Sequence, residues 1–307
     1  MGRWDFDDPR DGQSSESRSG HGRGIDQRPV HVEPLPDGLS ARSIGSETRR
    51  EHGLALPSGP DREAIHLDAR TVHLRGSEVD LLERAGRFRV TLTVDLKADA
   101  GGTTRVDEDV RSLVRQGLLA ERTMTRLHDG SHASVVSVTP TGQRLLDTHR
   151  DPAHDRGQTY YSGWVKPREV WHDAELFRMV RTVERELDRE GAHIRRVVLD
   201  DELKSRTYRA LAEARETLSE RSARWTVAQD ERVHLQGERF VFPDVRVEVE
   251  QRDGSVRTID LELVTRHYHR GHVGGKASAG FRMFGGRGSS STRGSQGGPR
   301  LVDRLLR

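Results

Sequence analysis

Residues 242–276 read FPDVRVEVEQRDGSVRTIDLELVTRHYHRGHVGGK, and the fold of the second half of the chain turns on them. Val245, Val247 and Val249 alternate with Asp244, Arg246, Glu248 and Glu250, and Ile259, Leu261 and Leu263 alternate with Asp260 and Glu262. A period of two gives each strand one apolar and one charged face. Arg252-Asp253-Gly254 suits a three-residue loop with glycine in the left-handed conformation. Gln251 then pairs with Ser255, Asp244 falls opposite Glu262, and Arg246 falls opposite Asp260. A two-residue Asp253-Gly254 turn would slip the register by one and break the apolar face. Directly opposed side chains have Cβ atoms about 4.5–5.5 Å apart, and two carboxylates at that distance repel unless something neutralises them. A divalent cation would do so; the plainer alternative is the solvated face of an ordinary hairpin.

Working upstream, WHDAELFRMVRTVERELDREG carries Leu176, Val180, Val183 and Leu187 at intervals of three and four, an amphipathic helix that Gly191 ends. IRRVVLDDELKSRTYRALAEA continues as a short strand and a helix. The order helix–strand–helix–strand–strand predicts an α/β-type domain over 171–284. Glu202 and Lys204 in DDELK are read as a helix opening, where acids suit the dipole. Downstream, His267, His269 and His272 form H-x-H-x-x-H. They could ligate zinc with Glu262, or contact phosphate beside Arg266 and Arg270. Gly271, Gly274 and Gly275 could offer backbone amides to a phosphate at the start of a helix KASAGFRMF, but no complete P-loop is present. Trp164, Trp171 and Trp225 are read as core or interface anchors.

Residues 71–150 have a different rhythm. SEVDLLERAGRF and TLTVDLKADA each suggest a helix, and RVDEDVRSLVRQGLL a third, capped by Thr103 or Thr104 and ended by Gly117. ERTMTRL and ASVVSVT flank the turn-rich HDGSH as a hairpin, and PTGQRLLDTHR closes as a helix. A linker is expected over 151–170. Residues 1–70 are rich in Gly, Ser, Pro, Arg and Asp without an apolar period, and residues 285–307 include GGRGSSSTRGSQGGPR; both are expected to be disordered tails.

Three helices, a hairpin and a helix resemble a winged helix-turn-helix domain, with SVTPTGQRLL where the wing returns into the last helix. The resemblance implies that 105–116 is the recognition helix, with Arg105, Arg111 and Arg115 toward DNA, and that His128 to His132 tips the wing. Asp107, Glu108 and Asp109 run against base reading, so docking on protein remains the alternative. Pro243-Asp244 followed by Asp260-x-Glu262 resembles the PD-(D/E)xK core of restriction-endonuclease-like nucleases. That resemblance implies Asp244, Glu262 and Asp260 as holders of Mg2+ or Mn2+, and metal-assisted phosphodiester hydrolysis. The family's lysine position holds Val264; Lys276, at the start of the next helix, is the substitute candidate with Asp244 and Glu262 as the catalytic set. The further core strand expected after that helix has no evident counterpart before GGRGSSS, so the core is expected to be clipped. Both departures favour a binding-only version.

Together with His172-Asp173, RVVLDDELK and LELVTRHYHRGHVGGKASAGF, the chain resembles the replication-relaxation proteins of bacterial mobile elements over residues 72–284. This implies an α+β multidomain protein that binds DNA in plasmid or integrative-element replication, relaxation or transfer, with other replication or transfer proteins as possible partners. Arg266, Arg270, His272 and Arg282 are the remaining candidates for DNA contact. An active metal-dependent nuclease and a winged-helix adaptor working through protein contacts stay open as alternatives.

The composition fits this picture. The 307 residues are 32% hydrophobic and 33% charged, with no cysteine, so disulfides, thiolate metal sites and cysteine nucleophiles are excluded. After Glu262 the sole acid is Asp303, against nine arginines and lysines. That basic end would be drawn to phosphate backbones, unless it only aids solubility. No signal peptide or membrane span is evident, and a cytoplasmic location is expected.

Overall fold

A computed structural model describes residues 30–36, 38, 53–125, 130–264 and 270–285. The fold is mixed α+β. Its first half begins with strand β1 (Val32–Pro34) and a hairpin of β2 (Glu63–Leu67) and β3 (Arg70–Leu74). There follow α1 (Gly76–Gly86), β4 (Thr91–Leu92), α2 (Thr93–Asp99), α3 (Thr104–Arg115), β5 (Leu119–Thr125), β6 (His132–Val138) and α4 (Pro140–Thr148). Strands β4, β6 and β5 form one antiparallel sheet with β6 in the middle.

Local chemistry sets these boundaries. The Thr103 hydroxyl accepts from the Val106 N–H at 3.3 Å, capping α3, and Gly117 beyond it has φ +69°. Thr139 accepts from the Gly142 N–H at 3.1 Å and is followed by Pro140 in the first turn of α4. Buried Val79, Leu82, Val110, Leu113, Val136, Val138, Leu145 and Leu146 from these elements meet in one cluster.

The second half contains α5 (Val170–Glu190), β7 (His193–Leu199), α6 (Asp200–Ala214), α7 (Glu220–Asp230), the short strands β8 (His234–Gln236) and β9 (Arg239–Val241), then β10 (Val245–Glu250), β11 (Val256–Val264), α8 (Arg270–Ser278) and β12 (Arg282–Gly285). The main sheet has the order β1-β12-β11-β10-β7. β10 is antiparallel to both neighbours, whereas β12 is parallel to β11 and β1 is parallel to β12. Gly191, with φ +71°, ends α5 as expected. The Val245–Val249 face packs with Leu176, Phe177, Val180 and Val183 of α5. On the other face, Val198 packs with Leu203, Leu211, Ala223, Val227 and Phe240.

Several expectations are corrected. Residues 1–70 were expected to be disordered, yet β1 joins the main sheet and Ile65 and Leu67 of β2 are buried. The segment 151–170 was expected to be a linker, yet Gln158 and Tyr160 are buried. The Gln158 amide donates to the Val197 carbonyl at 2.9 Å and accepts from its N–H at 2.8 Å, so a side chain completes the edge of β7. One hydrophobic cluster runs through both halves. KASAGFRMF is not a helix start: α8 ends at Ser278, Gly280 turns at φ +82°, and Arg282–Gly285 forms a strand where none was expected. Residues Thr91 and Leu92, expected in a helix, pair instead with β6. Trp225 is 61% exposed, so it anchors no core.

Candidate functional site

The hairpin register is the one the turn chemistry implies. Val245 pairs with Leu261, Arg246 with Asp260 and Glu250 with Val256. The Gln251 N–H donates to the Ser255 carbonyl at 2.8 Å, and Gly254 has φ +80°. Asp244 and Glu262 therefore oppose each other at the entry to β10. The Leu263 N–H donates to Asp244 Oδ2 at 2.8 Å, and the Asp244 N–H donates to Glu262 Oε2 at 3.2 Å. The Glu262 side chain is fully buried, and its Oε1 is ion-paired with the Lys276 ammonium from the last turn of α8. His172 Nε2, from the first turn of α5, lies 3.6 Å from Asp244 Oδ1. Each acid of the pair is thus met by a basic group and a backbone amide.

Asp260 shares their side of β11 but is claimed elsewhere. Arg246 Nε and Nη2 fork onto its two oxygens at 2.7 and 2.8 Å. The same guanidinium donates to the Glu231 and Arg232 carbonyls, each at 2.7 Å, tying the end of α7 to the sheet. Asp260 is not brought together with Asp244 and Glu262 as a third ligand. Val264 is buried with Phe281 and Met283.

Beside Asp244 lies a denser polar network. Arg89, between α1 and β4, contacts Asp173 at 2.9 Å, Asp200 at 3.2 Å and Asp201. Lys204 contacts Asp200 at 2.9 Å. Burial pushes the Asp173 carboxyl up to about 6, with Asp200 and Glu169 adding to the rise, against the pull of Arg89 and His172. Burial also acts on Asp200, but Lys204 and Arg89 outweigh it and hold that carboxyl below its usual value. Burial and the neighbouring Asp200 raise Asp201. Glu202 and Lys204 sit in the first turns of α6, as the helix-opening reading of DDELK expected. No local pattern announces Arg89, which is 111 positions from Asp200.

On α3, Arg105, Arg111 and Arg115 are exposed, with Arg105 Nη2 donating to the Pro60 carbonyl at 3.2 Å. Two of the three acids are ion-paired: half-exposed Asp107 with Lys97 at 2.9 Å, and buried Asp109 with Arg75. Glu108 is exposed. Arg282 is no open cation. It forks onto Glu33 of β1 at 2.6 and 2.5 Å, reaches Glu186 of α5 at 2.7 Å and lies over the Phe284 ring. It holds the edge strand β1 against its parallel neighbour β12, where Glu33 pairs with Phe284, two residues along from Arg282. Arg266, His267 and His269 lie outside the described residues, as do His128 and the side chains of Arg270 and His272.

A divalent ion does not fit this arrangement. Its two acids already accept from Lys276 and two backbone amides, and His172 lies 3.6 Å from Asp244. Among the described residues no group of three or more His, Asp or Glu side chains is arranged to hold a metal. Also among the described residues, no helix is long and apolar enough to cross a membrane. No model of a known protein family matches the chain, and neither does any curated protein or solved structure.

Proposed function

We propose that the chain is a DNA-binding protein in which a winged-helix unit engages the duplex and a nuclease-like sheet holds DNA without cutting it. The observation that carries this reading is the exposed face of α3. Arg105, Arg111 and Arg115 are solvent-facing there, while Asp107 and Asp109 are neutralised by Lys97 and Arg75. The acids that argued against DNA contact are thereby reduced to Glu108, and guanidinium groups on one helix suit phosphate.

Connectivity supports both units. The sequence α1–β4–α2–α3–β5–β6 with sheet order β4-β6-β5 is compatible with a winged helix whose β5–β6 hairpin is the wing. The order α5–β7–β10–β11–α8–β12, with β12 returning parallel to β11, is compatible with a restriction-endonuclease-like core in which α6 and α7 are inserted. The resemblance to replication-relaxation proteins adds a biological setting, the replication, relaxation or transfer of a bacterial mobile element.

Supercoiled plasmid incubated with Mg2+ or Mn2+ tests the reading, using the wild type beside Asp244→Ala and Glu262→Ala. Salt-sensitive binding by all three proteins without nicking is expected. Nicking by the wild type that both variants lose would make it an active nuclease. Absence of binding by any of them would leave an adaptor that docks on proteins.

A further inference from the structure

The hairpin brings two carboxylates face to face, and something must neutralise them. We infer that Lys276 does so as a resident counter-ion, so that the wild-type site excludes a divalent cation that the same acids would otherwise take. This inference rests on the nuclease-like reading of the sheet, but its test involves no DNA, so either can fail alone.

Three observations converge. Glu262 is fully buried, and a buried carboxylate without a partner is strongly disfavoured. Its Oε1 is occupied by the Lys276 ammonium, and its Oε2 by the Asp244 N–H. Asp244 Oδ2 accepts from the Leu263 N–H, and its Oδ1 faces His172. The third acid on this side of the hairpin, Asp260, is forked by Arg246 and is not available to complete a coordination sphere. A hard divalent cation needs several oxygen ligands, and waters could supply the rest only if the lysine left.

The origin of the lysine explains the substitution. Position 264, where a strand-borne lysine would run along the sheet, is given to valine, which packs with Phe281 and Met283. The cation comes instead from α8, whose last turn sits over the pair because β11 and β12 are parallel neighbours joined by that helix. An ammonium on a flexible four-carbon stem delivers one compact positive charge with three donors.

Thermal melting of the full chain with and without MnCl2 tests this, using the wild type, Lys276→Met, Lys276→Arg and the double variant Lys276→Met/Glu262→Gln. The wild type and Lys276→Arg are expected to show no Mn2+-dependent shift. Lys276→Met should melt lower by about 5–10 °C, given the cost of leaving a buried charge alone, and should recover most of that loss with Mn2+. The double variant, with a neutral amide at 262, should not respond. A Mn2+ shift in the wild type that Asp244→Asn abolishes would overturn the inference, as would a Lys276→Met protein that gains nothing. Should Lys276→Met fail to fold, a Mn2+ titration of the wild type followed by electron paramagnetic resonance decides alone. Saturable binding lost in Asp244→Asn overturns the inference, and none supports it.

Discussion

Asp173 shows how much one residue's surroundings matter. Its carboxyl is raised to about 6 by burial, while the unfolded chain keeps it near 3.8. The folded state therefore holds the proton more tightly than the unfolded one between those values. Stability contributed by the protonated form is full below about pH 4 and is lost as the pH rises through 6. Asp173→Asn should remove this dependence, so the variant should gain stability relative to the wild type between pH 4 and 6.5. Urea unfolding at several pH values checks it; a difference that stays flat would contradict a carboxyl raised by burial. Arg246 is a second residue-scale case. It is 3% exposed and serves one carboxylate and two carbonyls, so Arg246→Ala should cost about 3 kcal/mol in urea unfolding. A loss under 1 kcal/mol would mean that water replaces the guanidinium.

At the scale of elements, α4 depends on a glycine for a reason unrelated to flexibility. A Cβ at Gly142 would meet the Leu118 carbonyl oxygen at 2.3 Å and Val138 Cγ1 at 2.9 Å. Glycine to alanine in a helix ordinarily gains about 0.5–1 kcal/mol; here the sign should reverse, with a loss of about 2 kcal/mol as α4 is pushed off β6. A Gly142→Ala protein that melts at or above the wild type would contradict that packing. The elements legible from sequence were those with local signals. The β10–β11 register followed from valine alternation and Gly254, and α3 from its spacing and its threonine cap. Those missed had partners far along the chain: β1 pairs with a strand about 250 positions away, and β12 has only four residues behind a glycine turn. The candidate pair Asp244 and Glu262 was legible because the turn sets which side chains meet. Arg89 and the role of Arg282 were not, because only the tertiary fold brings their partners near.

For the molecule as a whole, the joint between the two halves is polar as well as apolar. Arg178 of α5 and Asp95 of α2 are each 1% exposed and paired, and Arg181 contacts Asp99 at 2.8 Å. With one hydrophobic cluster spanning both halves, the described residues should unfold in a single transition. Asp95→Ala, which strands a buried guanidinium, should lower stability by about 3–5 kcal/mol without splitting that transition. Two separate transitions would show that the halves fold independently. These contacts pack α5, which flanks the main sheet, against α2 of the first half. The central claim is that α3 grips DNA through phosphate. The most direct measurement is the anisotropy of a labelled duplex against salt, for the wild type and for Arg111→Ala/Arg115→Ala. Affinity should fall linearly with salt on logarithmic axes, and the double variant should bind more weakly with a slope smaller by about 2. An unchanged slope, or no binding by the wild type at low salt, would contradict the account.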